Sequence, residues 1–465
     1  MNPFVLKFLL LSCLGLSLGC MGETYTVSDR TQLAALDRAQ PGDVFLLKSG
    51  VWKDVHFNIN HGGTASQIVT LKAERPGQVM LTGSSFLAIN APYVSVEGFL
   101  FKDGSINKGA VIAMNSDHAV VSQMAVIDYN PQGMSTQYPW VVFNGSYNQL
   151  SSSYFKGKSN AGAVVINAEF NSRHNTLTNS FFQDMPLKAH SNGREIIKIL
   201  GGGHVDAQSP DGAYFTLEGN LFDHADGEGV EIISIKSNHN WIQNNTIVQS
   251  VGSLNVRRGS DNSVKNNVIL CQDRKDAQGI RMSGARNWIE ANYVSHCEYG
   301  VTLSSGEYWE QALTPHYKIN DRGNTAPNKA RYPQNQWVTI FNNVLVSNKG
   351  ADLDVGSREY KKHWPAHQNV LIPESCTVSH NTVYRPQGGA SVIGVSVDTQ
   401  APLDQLHFEP NVFEGNVLLG GRNTLASMTG FEERPFPKDW LEHEVLNGFK
   451  PLKASDVGPD WLNRQ

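Results

Sequence analysis

The sequence predicts an all-β chain folded as one right-handed parallel β-helix, and three observations carry that expectation. A phrase made of an apolar pair, an Asn-rich bend and a second apolar pair recurs: NWIQNNTIV from Asn240, NSVKNNVIL from Asn262 and NWIEANYVS from Asn287. The second Asn of each bend (Asn245, Asn267, Asn292) returns with a period of roughly 22–25 residues, which signals a solenoid. Helical periodicity disappears after Val44, and each unit holds only strands of a few residues, so one unit makes one turn of a coil.

Looser copies extend the pattern in both directions: NTLTNSFF from Asn175, FTLEGNLF from Phe215, VTIFNNVLV from Val338, CTVSHNTVY from Cys376 and NVFEGNVLL from Asn411. Asn suits the bends because its side chain tolerates the left-handed backbone region and bonds neighbouring peptide groups. A leucine-rich repeat has a similar period, but its Leu scaffold is missing. A β-sandwich does not repeat one phrase so regularly.

The elements follow in chain order. Residues 1–22, MNPFVLKFLLLSCLGLSLGCMG, have one Lys, an apolar run and small closing residues, the pattern of a secretory signal. Leu18-Gly19-Cys20 resembles a lipoprotein cleavage site, with Ser17 where such sites usually carry Leu. The expectation is export, to the periplasm or outer membrane of a Gram-negative bacterium or into the medium. No other segment is long and apolar enough to span a bilayer.

Residues 28–39, SDRTQLAALDRA, read as a short amphipathic helix capping the coil, with Ser28 at its N-cap, Leu33 and Leu36 on one face, and Pro41-Gly42 as its stop. The coil itself is assigned to residues 23–425, and the Pro-rich, repeat-free tail 426–465 to a cap on its far end.

Composition narrows the function. Lys and Arg number 38 against 43 Asp and Glu, a net charge of −5, so no basic face stands out for nucleic acid. A local cationic stripe on an acidic protein can still take a polyanion. A monomer is expected. Cys13 and Cys20 belong to the signal, and Cys271, Cys297 and Cys376 form no CxxC pair. They read as small apolar core residues rather than a disulfide or a zinc site.

Stacking converts sequence spacing into a map, because equivalent residues of successive coils lie about 4.8 Å apart. The strands Ser234-Ile235-Lys236, Asn255-Val256-Arg257, Gly279-Ile280-Arg281 and Gly300-Val301-Thr302 follow one another at about one period each. This spacing predicts an inward stack of Ile235, Val256, Ile280 and Val301, and an outward column of Lys236, Arg257, Arg281 and Thr302.

Three cations stacked so closely repel by roughly 1 kcal/mol or more per near pair at surface-like dielectric. A solvated basic stripe is the bland alternative. An anionic polymer across the column would relieve the repulsion, which also favours the neutral amine that a general base needs. Removing the C5 proton of a uronate and expelling the C4 substituent needs a group that neutralises the carboxylate, a base and a proton donor. Lys and Arg side chains suit these roles.

GEGVEIISIKS (227–237), VRRG (256–259) and GIRMSG (279–284) together resemble polysaccharide lyase family 6, which holds alginate lyases and chondroitinase B. The resemblance covers most of the chain beyond residue 22. It implies a parallel β-helix that depolymerises a uronate polymer by β-elimination, most readily alginate. It also implies Lys236 as general base and Arg257 as general acid. Arg281, Arg258, Lys198 and Arg331 are the expected substrate-binding residues.

The family usually has Arg-His where this chain has Arg257-Arg258. A Ca²⁺ site is implied at Asn192, Glu228 and Glu231, where the family's Glu-x-Glu has become Glu228-Gly229-Val230-Glu231. On a regular strand, residues three apart face opposite sides, so both carboxylates reach one ion only if Gly229 forms a bulge. The alternative is a calcium-independent site in which Arg residues or Lys198 neutralise the substrate.

Lys158, Arg322, Arg331 and Tyr332 are further cleft candidates, the last three on a long insertion at 304–335. His190, His224 and His296 have no metal-binding spacing. The other functional readings are a dermatan or chondroitin sulfate lyase of the same family and a non-catalytic glycan-binding β-helix. A glycoside hydrolase needs clustered Asp residues, which the cationic column replaces.

Overall fold

The computed structural model describes residues 22–168, 172–187, 193–201, 211–306, 332–357, 372–394, 410–424 and 429–462. The chain is a parallel β-helix, and among the described residues its three sheets have 14, 13 and 14 strands. Each coil lays one strand in each sheet before stepping to the next rung. The side sheet runs from Thr24–Val27 to Val412–Glu414, the front sheet from His56–Ile59 to Arg422–Asn423, and the back sheet from Gly50–Lys53 to Phe431–Arg434. Every pairing between named strands is parallel; one isolated bridge, Thr64 with Gln67, is antiparallel. Among the described residues no helix is long and apolar enough to cross a membrane.

Short β-branched and aromatic strands form the core by stacking like on like. In the front sheet Ile199, Ile235, Val256, Met282, Leu303 and Val355 are successive register partners and all point inward. In the back sheet Phe155, Phe182 and Phe222 stack face to face, with centroids 5.1 and 4.9 Å apart. Each such side chain contributes about 1.5–3 kcal/mol by leaving water, so every added rung extends one continuous core.

The two residues of each bend divide the roles expected of asparagine, one taking the left-handed backbone and the other bonding neighbouring peptide groups. The second residue of each bend is a buried Asn, and seven of them form a ladder: Asn220, Asn245, Asn267, Asn292, Asn343, Asn381 and Asn416. Each Nδ2 donates to the Oδ1 of the next at 2.9–3.0 Å. The left-handed residue is the one before it, filled by Asn244, Asn266, Ala291, Asn342 and His380 in turn. The ladder, not tolerance of positive φ, is therefore what demands asparagine at the second position.

Three expectations need correction. The short helix expected at 28–39 is confined to Gln32–Arg38, is of 3-10 type, and is preceded by the strand Thr24–Val27. Ser28 does not cap it; Asp29 Oδ1 accepts the Gln32 N–H at 3.1 Å instead.

Cys271 and Cys297, expected as separate core thiols, form a disulfide with Cα atoms 4.9 Å apart at a sequence separation of 26. That separation is one coil, which places the two residues at the spacing of neighbouring rungs. Cys376 is free and buried, and burial pushes its thiol up to about 12.

The tail closes the far end only with its first strand, Phe431–Arg434, which adds to the back sheet. It then runs back along the outside of that sheet. Trp440 stacks on Tyr384, Glu442 accepts from Tyr293 Oη at 3.0 Å and meets His296 at 3.1 Å, and Leu452 N–H reaches Thr246 Oγ1 at 2.9 Å. Farther on, Val457 packs with Phe181 and Tyr154, and Trp461 Nε1 donates to Gln123 O at 2.8 Å. The tail is a strap across the rungs.

Candidate active site

The site lies on the outer face of the front sheet. Alternation along Glu231–Ile235 turns Ile233 and Ile235 inward and presents Ser234, and then Lys236, outward. On the next rung Asn255 stands over Ser234, and Arg257 follows as Lys236 does below it. The expected outward direction of Lys236 and Arg257 is therefore met, on adjacent rungs.

Arg281 is displaced from the expected column by two residues. The register pairs it with Asn255 and Thr302, while Met282 stands over Val256 and Ile280 over Leu254. Ser283 therefore follows Arg257 in the column. The corner before Ala277 is extended and makes this rung longer than the one before it. A slip of two keeps Arg281 on the outer face, since side chains alternate with period two.

The cations are not left to repel one another, because buried carboxylates are interleaved with them. Glu195 Oε1 pairs with Lys236 Nζ at 2.8 Å and with Lys198 Nζ at 3.2 Å. Glu231 Oε1 meets Arg281 at 3.1 Å and Arg257 Nε at 3.6 Å, and its Oε2 lies 3.8 Å from Lys236. Asn255 Nδ2 and Ser234 Oγ also donate to Glu231.

Arg281 is only 3% exposed and sits beneath Tyr332, whose ring lies 5.7 Å from its guanidinium and 5.0 Å from that of Arg257. Arg281 therefore meets Glu231 below the surface rather than standing on an open face. Arg257 Nε also donates to Tyr332 Oη at 3.3 Å. The Lys236 side chain is 17% exposed.

Glu228 does not share a strand with Glu231. It lies in the turn at 226–230, where Gly229 has φ +79° and its N–H bonds Asp226 O at 2.8 Å. The extra residue in the ladder is Ile232, between Glu231 and Ile233, so the bulge sits within the strand and Gly229 shapes the turn. Arg194 clamps that turn by donating to Gly227 O at 3.0 Å, and also bonds Lys158 O and Pro186 O.

The result is a cluster in which Glu195, Glu228 and Glu231 place one oxygen each within 4.8 Å of one another. Burial first, and then Glu195 and Glu231, push Glu228 up to about 7. Burial alone would raise Glu195 as well, but Lys236 and Lys198 outweigh it and hold its carboxyl below the usual range. Glu195 Oε2 is buried and has no hydrogen-bond partner among the described residues. An orphaned carboxylate oxygen among three hard-oxygen donors fits a divalent cation.

Lys158 does not line the cleft. It is buried, and its Nζ donates to Asn160 O, Asn160 Oδ1 and Gly162 O at 2.8–2.9 Å and to Ala161 O at 3.3 Å. Arg331, Asn192, Arg322 and His190 lie outside the described residues.

The family model for chondroitinase B matches residues 27–425. The chain belongs to that family, polysaccharide lyase family 6. A polysaccharide lyase of family 6 from Pseudopedobacter saltans is 36% identical, with a TM-score of 0.81 over 94% of this chain and 99% of its own. An alginate lyase of the family is 25% identical, with a TM-score of 0.77; 94% of this chain is covered, but only 59% of that longer one. A mannuronic acid specific family 6 lyase from human gut microbiota shares the fold at 22% identity, with a TM-score of 0.75 over 94% of this chain and 96% of its own. No curated protein sequence matches.

For this family 6 lyase, sequence reasoning missed Glu195 as the acid that holds both lysines. Its signal was present: Glu195 closes the same Asn192-Gly193-Arg194-Glu195 stretch from which Asn192 was taken. Arg194 was missed too, since nothing local marks a buried clamp.

Proposed function

We propose that this lyase depolymerises alginate by β-elimination, with Lys236 as base and Arg257 as acid. The observation that carries the reading is the placement of these two side chains on adjacent rungs of one face, above a buried carboxylate cluster. The rungs are about 4.8 Å apart, and C5 and the C4 oxygen of one sugar are both bonded to C4, so two long side chains on neighbouring rungs can converge on one ring.

In this scheme the Lys236 amine takes the C5 proton, the released electron pair forms the C4–C5 double bond, and the C4–O bond breaks. Arg257 delivers the proton to the departing oxygen, steadied by Tyr332. Glu195 and Glu231 hold the two groups in place. A uronate polymer is favoured because Lys198, Lys236 and Arg257, each partly exposed, stand on one face of the front sheet. Alginate is favoured over a sulfated glycosaminoglycan on the likeness to the alginate lyase of the family.

Calcium is part of the proposal. Glu195, Glu228 and Glu231 would hold it, joined by Asn192. When bound it would supply positive charge to the substrate carboxylate, and every proton transfer stays with the side chains. Export through the signal at 1–22 is proposed with the same reading.

The test incubates the protein with polymannuronate, polyguluronate and dermatan sulfate while following the ultraviolet absorbance of unsaturated uronate. Expected is a rise with an alginate block, abolished in Lys236→Ala with binding retained. A rise with dermatan sulfate alone would replace alginate, and no rise with any polymer would overturn the lyase scheme in favour of a glycan-binding coil. Activity unchanged after thorough chelation would remove calcium.

A further inference from the structure

A column of rings runs along the corner where the front sheet turns into the side sheet. Tyr93, His118, Tyr147, His174, Tyr214 and His239 stand on six successive rungs, each one or two residues before a side-sheet strand. Neighbouring rings stack, with centroids 4.6–5.1 Å apart and planes within 16° of each other. All six have φ between +47° and +59°, a region that Asn and Asp enter far more readily than bulky side chains. Stacking accounts for a ring at each rung, but not for the strict alternation of Tyr with His. The chemistry of this column repeats every second rung, whereas the Asn ladder repeats every rung.

The same doubled period continues on the outer face of the side sheet. Trp241 and Trp288 are the register partners of Ser263 on either side, so two indoles stand two rungs apart with a small hydroxyl between them. They are 42% and 44% exposed. Trp241 leans on Tyr214, with centroids 6.3 Å apart, and Trp288 Nε1 donates to Glu290 Oε2 at 2.9 Å. Both indoles are thus held at the surface by their neighbours.

From Tyr93 to Trp288 the strip crosses eight rungs, about 34 Å at the strand spacing. A narrow strip of that length fits a linear polymer rather than a compact ligand. Two rungs are about 9.6 Å, comparable to the repeat of an extended β-1,4-linked glycan, in which every second sugar shows the same face. The apolar face of a sugar stacks on an indole, and its hydroxyls bond the polar edges of Tyr and His.

Charge narrows the polymer. Along the strip Arg173 meets Asp211, Lys265 meets Glu290 and Arg286 meets Asp261. Glu97 and Glu218 stand on the same outer face, so these acids outnumber the permanent cations. On the front face the balance is reversed, with Lys198, Lys236, Arg257 and Arg281 around Glu195 and Glu231. A polyanion is complementary to the front face, and an uncharged chain to this one.

We propose that this strip is a second binding surface, apart from the catalytic face, for an uncharged, extended β-1,4-linked glycan. Alternate sugars lie on Trp241 and Trp288, and the chain continues along the Tyr and His edges. The inference does not rest on the lyase reading, which absence of unsaturated product would sink separately.

The experiment titrates the full chain with cellobiose, cellotetraose and cellohexaose, uncharged 1,4-linked glucans of defined length, by calorimetry and indole fluorescence. Expected is tighter binding of the two longer chains, since cellobiose is too short to reach both indoles. Trp241→Ala and Trp288→Ala should each weaken cellohexaose binding about tenfold, as for the loss of one anchoring Trp. Trp241→Phe and Trp288→Phe should fall between. Both rings are exposed, so Tm should not change; if an Ala variant does not fold, the Phe variant at that position carries the test.

No binding of any of these glucans, or equal affinity in the Ala variants, would overturn the proposal. On a Lys236→Ala background, polymannuronate binding that depends on the two indoles, with no glucan bound, would make the strip a uronate surface instead. A concentration-dependent dimer abolished by the same variants, read by sedimentation, would assign it to a second copy of the chain and overturn the proposal as well.

Discussion

Replacing Glu231 with Gln removes one negative charge and almost no volume. Glu231 is 4% exposed, and Arg281, at 3%, has its guanidinium 3.1 Å away. Breaking a buried pair on one side leaves an uncompensated charge, which costs about 3–5 kcal/mol. Lys236 and Arg257 also face this carboxylate but are more exposed and farther off, so they add little.

At about 2.1 cal/mol/K of unfolding entropy per residue, a chain of this length loses roughly 1 °C of Tm per kcal/mol if it unfolds as one unit. Glu231→Gln should therefore lower Tm by about 3–5 °C. Arg281→Met should cost a comparable amount by orphaning Glu231. The double variant, with neither charge buried, should lose clearly less than the sum. Scanning calorimetry on the four proteins reads the cycle, and strictly additive shifts would refute the claim that Glu231 and Arg281 support each other.

Lys158→Met should destabilise the chain by several kcal/mol, since four oxygens that solvate the ammonium lose their donor. Unchanged stability by denaturant titration would show that those oxygens find water instead. The disulfide closes a loop of one coil, so Cys271→Ser with Cys297→Ser should cost about 3 kcal/mol on the chain-entropy account, readable as a lower Tm that reductant no longer changes.

The strap contact is pH-sensitive. Hydrogen bonding to Glu442 raises His296, and the stability this supplies is full below the ordinary imidazole value of 6.5 and lost as pH rises through the raised one. Glu442 is lowered by the same bond, and its contribution is present above 4.5 and lost as pH falls through the depressed value. Hydrogen exchange of residues 442–449 should be slowest between those limits, and a profile flat in pH would exclude the pair as an anchor.

The repeat was legible because stacking forces like residues to recur, and Lys236 and Arg257 were legible because a single rung of ordinary length separates them. Arg281 was misplaced because corners vary in length: the next rung is longer, and spacing alone does not say where the extra residues sit. Glu195 was hidden for a related reason. It lies 41 residues from Lys236, and only coil geometry brings them together. The turn at Gly229 and the bulge at Ile232 trade one insertion between two places, a choice settled by packing rather than by local preference.

A solenoid held only by neighbour contacts can gain or lose a coil without consequence elsewhere. The strap removes that freedom. Its path from Tyr384 back to Gln123 must match the height of the rungs it crosses, and each added coil would lengthen that path by about 4.8 Å. The tail thus works as a ruler. Its length and the number of coils can change only together, which ties the two ends of the molecule to a single count.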